Sequence, residues 1–256
     1  MIFLLQQSHL LAHKEALKSI MRLFLLSAAL IFIDSFSIGA ESILPIENTF
    51  KVHAVGDSHA RFSFAGSPEC IPHVIGATTM HRVGRDGLSH VNCQKLGVQE
   101  NDTVIFVFGE IDVRCHIGIQ RDRDKRNEDE IIKSLAQKYV ETIIANRKLF
   151  QKIHCVIFAV VPPSKTRYND PLFPFYGSLN DRISLTKKLN ACLQQEALKH
   201  SLPILDVSAD YATAAGSFRP ELSDGRVHIG PQSTGPVQQK LAMLLKTLYS
   251  EEHFPS

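Results

Sequence analysis

The chain lacks several features that would place it in a specialised class of proteins. Its 256 residues carry a formal net charge of only +2, so the sequence gives no reason to expect electrostatic capture of nucleic acid. It contains no C-x-x-C pair and no H-E-x-x-H motif, and no metal site is therefore predicted. It has no internal repeat and no low-complexity segment. The remaining composition, 44% hydrophobic and 21% charged, is that of an ordinary globular protein with enough apolar residues for a core.

Cysteine is scarce and irregularly spaced. An odd number of scattered cysteines predicts neither a disulfide framework nor a structural zinc site. One of them lies in an apolar run, where a reduced cysteine packs as a small hydrophobe. The cysteines therefore lean weakly towards a reducing compartment. The five are Cys70, Cys93, Cys115, Cys155 and Cys192.

The N-terminal residues lean the other way. From Met21 the chain has a basic residue, eleven apolar or small residues over 23–33, and a small residue at Ala40, which is the layout of a signal peptide. The run is shorter than the ~20 residues that a membrane span needs. Residues 1–20 precede it with a mildly amphipathic segment, so a start at Met21, a long leading region, an uncleaved anchor and a packed helix all stay open. Export or membrane anchoring through residues 21–40 is slightly favoured over a cytoplasmic location.

After this extension, predicted as residues 1–45, the pattern over 46–256 alternates between strand and helix. Short apolar runs that end at glycine or proline fit strands buried on both faces. Apolar residues at helical spacing lie between them, which predicts βαβ units around a mostly parallel sheet, an α/β protein with three layers. Such sheets bind ligands beyond the carboxyl ends of the strands, and the long loop 162–178 lies at such an end. The predicted strands are 51–55, 103–108, 155–161 and 203–207, and the predicted helices 131–150, 184–200 and 236–248.

Side chains able to carry chemistry follow the strands. Ser58 comes directly after the first strand, where a helix N-terminus stabilises negative charge. Glu110, Asp112, Arg114 and His116 crowd the end of a later strand, and the pair Asp224 and His228 precedes the last helix. An early serine followed by a late acid and histidine is one workable chain order for nucleophile, orienting group and base.

Four short segments carry a more specific resemblance. VGDSHA (55–60) resembles block I of the SGNH (GDSL-like) hydrolases in a GDSH variant, and Gly76 falls where block II belongs. FGEID (108–112) stands where block III, usually G-x-N-D, is expected, and DGRVH (224–228) resembles block V, usually D-x-x-H. The four occur in the family's order. The chain is thus similar to an SGNH hydrolase with a GDSH/GEID signature, which implies an SGNH/flavodoxin-like α/β/α sandwich.

The resemblance implies a serine esterase that needs no cofactor. Ser58 would attack an ester carbonyl, His228 would accept and return the proton, and Asp224 would orient the histidine. The backbone N–H groups of Ser58 and Gly76 would stabilise the oxyanion. The expected substrate is a small-molecule or glycan ester, such as an O-acyl group on a polar molecule; the oligomeric state is not predicted.

Two departures from the family pattern keep other readings open. Ile111 replaces the asparagine that would donate a third oxyanion hydrogen bond, and three residues rather than two separate the acid and histidine of block V. Arg114 and His116 could substitute for the missing donor or bind an anionic group. Alternatively, Arg114 could form an internal network with Glu110 and Asp112.

His59 also has two readings, since it could line the pocket or cap the first helix. The alternatives to an esterase are a catalytically weak protein that binds carbohydrates or anions on the same scaffold, and an acyltransferase that uses the same nucleophile.

Overall fold

The computed structural model of the chain describes residues 50–168 and 170–250. In this part the chain forms a parallel sheet of five strands, in the order β2-β1-β3-β4-β5. The predicted N-terminal extension, residues 1–45, with its export signal, lies outside the described residues. No helix in the described ranges combines the length and apolarity needed to cross a membrane. The strands are β1 Val52–Gly56, β2 Cys70–Val74, β3 Thr103–Val107, β4 His154–Phe158 and β5 Ile204–Leu205.

The helices follow from capping residues and apolar spacing. Asn127 accepts hydrogen bonds at the start of the long helix before β4, and three acidic residues occupy its first turn, where the helix dipole favours negative charge. Ser178 caps the next long helix in the same way. The helices are α1 Ser58–Ser63, α2 Met80–Asp86, α3 Ile117–Arg123, α4 Glu128–Arg147, α5 Leu179–Lys199, α6 Ser208–Tyr211 and α7 Gly235–Ser250, and a π-helical turn, Asp112–His116, leads into α3.

Two hydrophobic cores lie on opposite faces of the sheet. Val104 and Phe106 of β3 join α2, α4 and α5 in one core, while Ile105 and Val107 join α1, α6 and α7 in the other. Because successive side chains of a strand point to opposite faces, each central strand serves both cores. The predicted three-layer α/β/α sandwich is confirmed.

The main differences from the prediction lie in β2 and β5, at the edges of the sheet, and in the length of β4. β2, which the sequence pattern did not reveal, carries Pro72 and exposes Ile71 and Val74. An edge strand tolerates proline and needs no continuous apolar run, so it gave no signal. β4 ends at Phe158 and β5 is only two residues long, because the chain beyond each leaves the sheet before its apolar run ends.

The strand order reverses direction next to β1. The chain passes from β1 to β2 on one side, then returns to β3 on the other. Ligand sites in open α/β sheets lie at such a switch point, beyond the carboxyl ends of the strands. Residues that follow β1 and β3 are therefore brought to one place.

Candidate active site

Ser58 begins helix α1, and only Asp57 separates it from the end of β1. Gly56 allows this turn, because a Cβ on it would lie 2.2 Å from the carbonyl oxygen of Val107 in the neighbouring strand. Asp57 caps α1, and its Oδ1 accepts a hydrogen bond of 2.8 Å from the backbone N–H of His59. Ser58 itself is only partly buried. The local sequence thus holds the serine hydroxyl at the positive end of a helix.

A chain of hydrogen bonds links Ser58 to two residues near the C-terminal end of the sequence. Its Oγ lies 2.8 Å from Nε2 of His228, and Nδ1 of His228 lies 2.7 Å from Oδ2 of Asp224. The serine and the histidine are 170 residues apart in sequence. This arrangement has the connectivity that nucleophile, base and orienting acid require.

The loop from Asp224 to His228 accommodates the extra residue of block V. Asp224 Oδ1 accepts hydrogen bonds from the backbone N–H groups of Arg226 (2.8 Å) and His228 (3.1 Å). The backbone N–H of Asp224 in turn donates to the carbonyl of His228 at 3.0 Å. Gly225 takes a φ of 85°, which glycine adopts at little cost. The loop closes on itself, and the acid still reaches the histidine.

The surroundings of His228 favour its neutral form. The ring of Phe62 stacks on it at a centroid distance of 4.2 Å, and the ring of His59 lies 4.6 Å away. Burial and the charge of His59 lower the pKa of His228 to about 4, against the opposing effect of Asp224. A neutral imidazole can accept a proton from the serine.

His59 is buried, with only 4% of its surface exposed. Its Nδ1 lies 2.9 Å from Asp57 Oδ1, and its Nε2 lies 3.2 Å from the carbonyl oxygen of Val227. Burial lowers the pKa of His59, but the charge and hydrogen bond of Asp57, with a smaller effect of Glu110, raise it overall to about 9. Asp57, and not His59, caps α1, and the raised pKa favours the charged form of the buried His59 ring.

Gly76 lies at the end of the neighbouring edge strand. Val74 is the register partner of Gly56, and the N–H of Ile75 donates to the Gly56 carbonyl at 2.9 Å. Gly76 follows with a φ of 81° and is exposed. The backbone segments that follow β1 and β2 therefore lie side by side. Ser58 belongs to the first segment and Gly76 to the second.

Block III residues have separate functions in the structure. Ile111 is buried and has no polar side-chain atom. Asp112 is fully buried and accepts hydrogen bonds from the N–H groups of Met80 (2.6 Å) and His81 (3.1 Å) at the start of α2. Burial raises the pKa of Asp112 to about 7, although these two bonds act to lower it. Asp112 therefore caps α2, and it is not part of a network with Arg114.

Arg114 lies in an internal network with the long loop before α5. It is 5% exposed, and its Nε lies 3.1 Å from Glu110 Oε1. Its Nη1 donates to the hydroxyl of Tyr168 (2.9 Å) and to Asp170 Oδ2 (3.2 Å). Its guanidinium also lies over the ring of Phe175, 5.2 Å from the centroid. Of the two readings of Arg114, the internal network with Glu110 matches these contacts.

His116 contacts neither Arg114 nor Ser58 among the interactions described. Its Nε2 lies 2.7 Å from Gln120 Nε2, and its ring packs 4.4 Å from that of His81. Burial and the positive charges nearby lower the pKa of His116 to about 4. Its contacts are with α2 and α3, whereas those of Ser58 are with the loop at 224–228.

Three residues around the site were not recognised from the sequence. Phe62 stacks on His228, and Tyr168 lies under the guanidinium of Arg226, 5.4 Å from its charged carbon. Arg182 is buried under the loop and donates to the carbonyl oxygen of Ser164 at 3.2 Å. The only sequence signal was the length and aromatic content of the loop 162–178, which does not identify a partner for any one residue.

The five cysteines are all free, and four of them are buried. Among residues 50–168 and 170–250, no group of three or more His, Cys, Asp or Glu side chains is arranged to hold a metal ion.

Comparison with known proteins finds solved structures that are similar in fold to this chain. No protein-family model and no curated protein matches the chain. A crystal structure of an acylhydrolase from Bacteroides fragilis matches with a TM-score of 0.54 at 16% identity, covering 80% of this chain and 90% of that one. A GDSL-like lipase from Bacteroides thetaiotaomicron matches with a TM-score of 0.50 at 15% identity (79% and 88% covered). A carbohydrate acetylesterase from Sinorhizobium meliloti matches with a TM-score of 0.51 at 15% identity (77% and 100% covered).

Proposed function

The chain has the fold of the SGNH (GDSL-like) hydrolases, and on this premise we propose that it is a serine-dependent esterase that acts through Ser58. One observation carries the proposal. Ser58 Oγ lies 2.8 Å from His228 Nε2, and His228 Nδ1 lies 2.7 Å from Asp224 Oδ2, so the three side chains form one continuous chain of hydrogen bonds. A serine hydroxyl becomes a competent nucleophile only when such a base can accept its proton.

The proposed reaction proceeds in two acyl-transfer steps. As Ser58 Oγ bonds to the ester carbonyl carbon, its proton passes to His228 Nε2. The tetrahedral intermediate then expels the alcohol, which takes that proton from His228, and an acyl-Ser58 ester remains. A water molecule or a sugar hydroxyl attacks this ester and gives its proton to His228. Ser58 Oγ then leaves the tetrahedral intermediate and takes that proton back from His228, which releases the carboxylic acid or the new ester. Asp224 holds the imidazole in the required tautomer and stabilises its charged form.

The oxyanion would be stabilised by the backbone N–H groups of Ser58 and Gly76. Ile111 supplies no third donor, and the contacts of Arg114 are already made within its internal network. Since one lost donor typically lowers turnover by ~10²–10³, we expect a slower enzyme than a complete set of three donors would give.

A polar ester is the substrate class that fits the surroundings of Ser58. Arg61 precedes Phe62, Arg226 lies two residues before His228, and both arginines are exposed. The ring of Tyr168 adds an aromatic face beside Arg226. Aromatic and basic groups of this kind suit an O-acylated sugar or another polar molecule. The similarity in fold to a carbohydrate acetylesterase supports the same choice.

Labelling of the nucleophile tests the proposal most directly. The full-length protein is treated with a fluorophosphonate, and the modified residue is identified by mass spectrometry. We expect a covalent adduct on Ser58 in the wild type and none in Ser58→Ala. Ser63→Ala is the matched control, because Ser63 is a buried serine of the same short helix, and this variant should label normally.

Turnover then distinguishes the remaining functions. Ser58→Ala and His228→Ala should each abolish hydrolysis of a small acetyl ester without unfolding the protein. Transfer of the acetyl group to an added sugar in preference to water would identify a transferase. A folded wild-type protein that gains no adduct and hydrolyses no ester, yet is stabilised by a carbohydrate, would instead be a binding protein.

A further inference from the structure

His59 connects the two chain segments that carry the proposed nucleophile and base. Its Nδ1 bonds to the side chain of Asp57, the residue before Ser58, at 2.9 Å. Its Nε2 bonds to the carbonyl of Val227, the residue before His228, at 3.2 Å. His59 and Val227 lie 168 residues apart along the chain. One buried side chain therefore bridges the turn that holds the serine and the loop that holds the histidine.

The two partners of His59 determine its protonation state. A carboxylate oxygen and a carbonyl oxygen are both acceptors, and a neutral imidazole has only one N–H to donate. Either neutral tautomer would leave a lone pair facing an acceptor in a buried site, which is costly. Only the imidazolium satisfies both contacts. The acidic groups that face it, Asp57 and Glu110, raise its pKa to about 9 although burial acts against them.

This fixed charge acts on the neighbouring base. The rings of His59 and His228 lie 4.6 Å apart at their centroids, so a proton added to His228 would place two cations side by side. Burial and His59 together lower the pKa of His228, while Asp224 and Asp57 act to raise it. During the reaction, Asp224 stabilises the charge that His228 gains, and the carboxylate of Asp57 balances that of His59.

We propose that His59 is a positioning residue held as an imidazolium between Asp57 and Val227, where it fixes the serine turn against the histidine loop and keeps His228 unprotonated in mildly acidic solution. The inference rests on the proposed function, since it takes His228 as the base. It assigns no contact between His59 and the substrate.

Nuclear magnetic resonance of the histidine rings tests the inference without relying on catalysis. In full-length wild-type protein labelled with ¹⁵N, the ring signals of His59 are assigned by contacts with Val227 and His228. We expect both His59 ring nitrogens to carry protons at pH 7.5 and to titrate near pH 9. A neutral His59 at pH 7.5 would overturn the inference.

The same spectra measure the effect on the base. The protonation midpoint of His228 should lie near pH 4 in the wild type and rise by one unit or more in His59→Gln. His53→Gln is the matched control, because His53 is also buried and paired with an aspartate (Asp102, 3.0 Å) but lies near the opposite end of β1. This control should leave the midpoint of His228 unchanged. If His59→Gln does not fold, His59→Asn provides the same comparison.

Kinetics separates this inference from the proposed function. For a small acetyl ester, the acid limb of the kcat/KM profile should move to higher pH in His59→Gln, by the same amount as the His228 midpoint. The kcat should fall about tenfold or more with little change in KM, while His53→Gln keeps the wild-type profile. An active wild type whose acid limb does not move in folded His59→Gln would refute the inference and leave the esterase standing. A wild type without turnover would refute the esterase, while the spectra would still decide the state of His59.

Discussion

The orientation of the Asp224 carboxylate is determined by the backbone of its own loop. Three residues rather than two separate it from His228, and a longer spacing could have carried the carboxylate away from the imidazole. Instead, one of its oxygens is held by two backbone N–H groups of the loop, and the other is free to meet His228 Nδ1. These bonds and the neighbouring histidine lower the pKa of Asp224, although burial acts to raise it. The acid is therefore ionised and oriented at neutral pH.

Replacing Asp224 by asparagine should reduce turnover far more than binding. The amide can present an N–H to His228 and favour the wrong tautomer, so we expect kcat to fall by about 10²–10⁴ with little change in KM. Steady-state kinetics on an acetyl ester measures this. Asp206→Asn is the control, because Asp206 also bonds a backbone N–H of its own loop, that of Ser208 at 2.8 Å. Equal losses in both variants would contradict an orienting function for Asp224.

At the scale of elements, block III joins two parts of the domain. Gly109 lets the chain leave β3, since a Cβ on it would lie 2.6 Å from Val160 Cγ2. The next turn carries Asp112, which holds the start of α2, and Arg114, which holds the loop before α5. A segment that resembles a catalytic block thus connects the sheet, a helix and a loop.

Removal of the Asp112 side chain should destabilise the domain. Asp112→Ala leaves two backbone N–H groups of α2 without their acceptor, at a cost of about 2–4 kcal/mol in the free energy of unfolding. Thr79→Ala, which removes the side-chain acceptor for Arg82 N–H in the same helix, should cost only about 1 kcal/mol. Urea denaturation compares the two. A cost no greater for Asp112→Ala than for Thr79→Ala would show that the buried carboxylate stabilises the domain no more than an ordinary side-chain cap does.

Loss of the Arg114 guanidinium should release the loop that it holds. In Arg114→Gln the bonds to Tyr168 and Asp170 are lost, and opening of the loop becomes easier by on the order of 1.4 kcal/mol, a tenfold change. We expect trypsin to cleave after Lys165 or Arg167 about ten times faster than in the wild type. Arg147→Gln is the control, since Arg147 bonds only the carbonyl of His200 among the contacts described. Unchanged cleavage in Arg114→Gln would mean that other contacts hold the loop.

Across the whole molecule, buried ionisable groups make stability depend on pH. His59 has a raised pKa, so the native state keeps a proton that the unfolded chain releases above about pH 6.5. Its contribution is complete below that pH and is lost as the pH rises towards 9. On the acid side the groups oppose one another. The lowered pKa of His228 costs stability as the pH falls from 6.5 to 4, whereas the raised pKa of Asp112 adds stability over much of the same range.

The melting temperature should therefore fall between pH 6.5 and 9. A shift of the size found for His59 corresponds to on the order of 3 kcal/mol, or a decrease of roughly 5 °C or more for a domain of this size. Calorimetry at a series of pH values measures the decrease. In His59→Gln the alkaline slope should be clearly smaller, while His53→Gln should keep it. The same slope in His59→Gln and the wild type would assign the effect to other groups.

The sequence by itself determined the alternation of strands and helices and the order of the four motifs. Apolar runs such as 103–107 predict strands buried on both faces, because no other short element hides every side chain. Ser58, Asp224 and His228 could be named as candidates because each lies beside a strand end or a turn, which local patterns reveal. The resemblance to SGNH hydrolases rested on the same local segments.

Only the tertiary structure decided which of these residues meet. Edge strand β2 carried no apolar signal, and nothing in the spacing predicted that His59 reaches Val227, 168 residues away. The sequence left open whether Arg114 faces the substrate, and only the structure shows its contacts with Tyr168, Asp170 and Phe175. Periodicity reports which face of an element is buried, but the partner on that face depends on how strands are ordered and helices packed. That is why the motifs could be predicted from the sequence and the charge network beneath them could not.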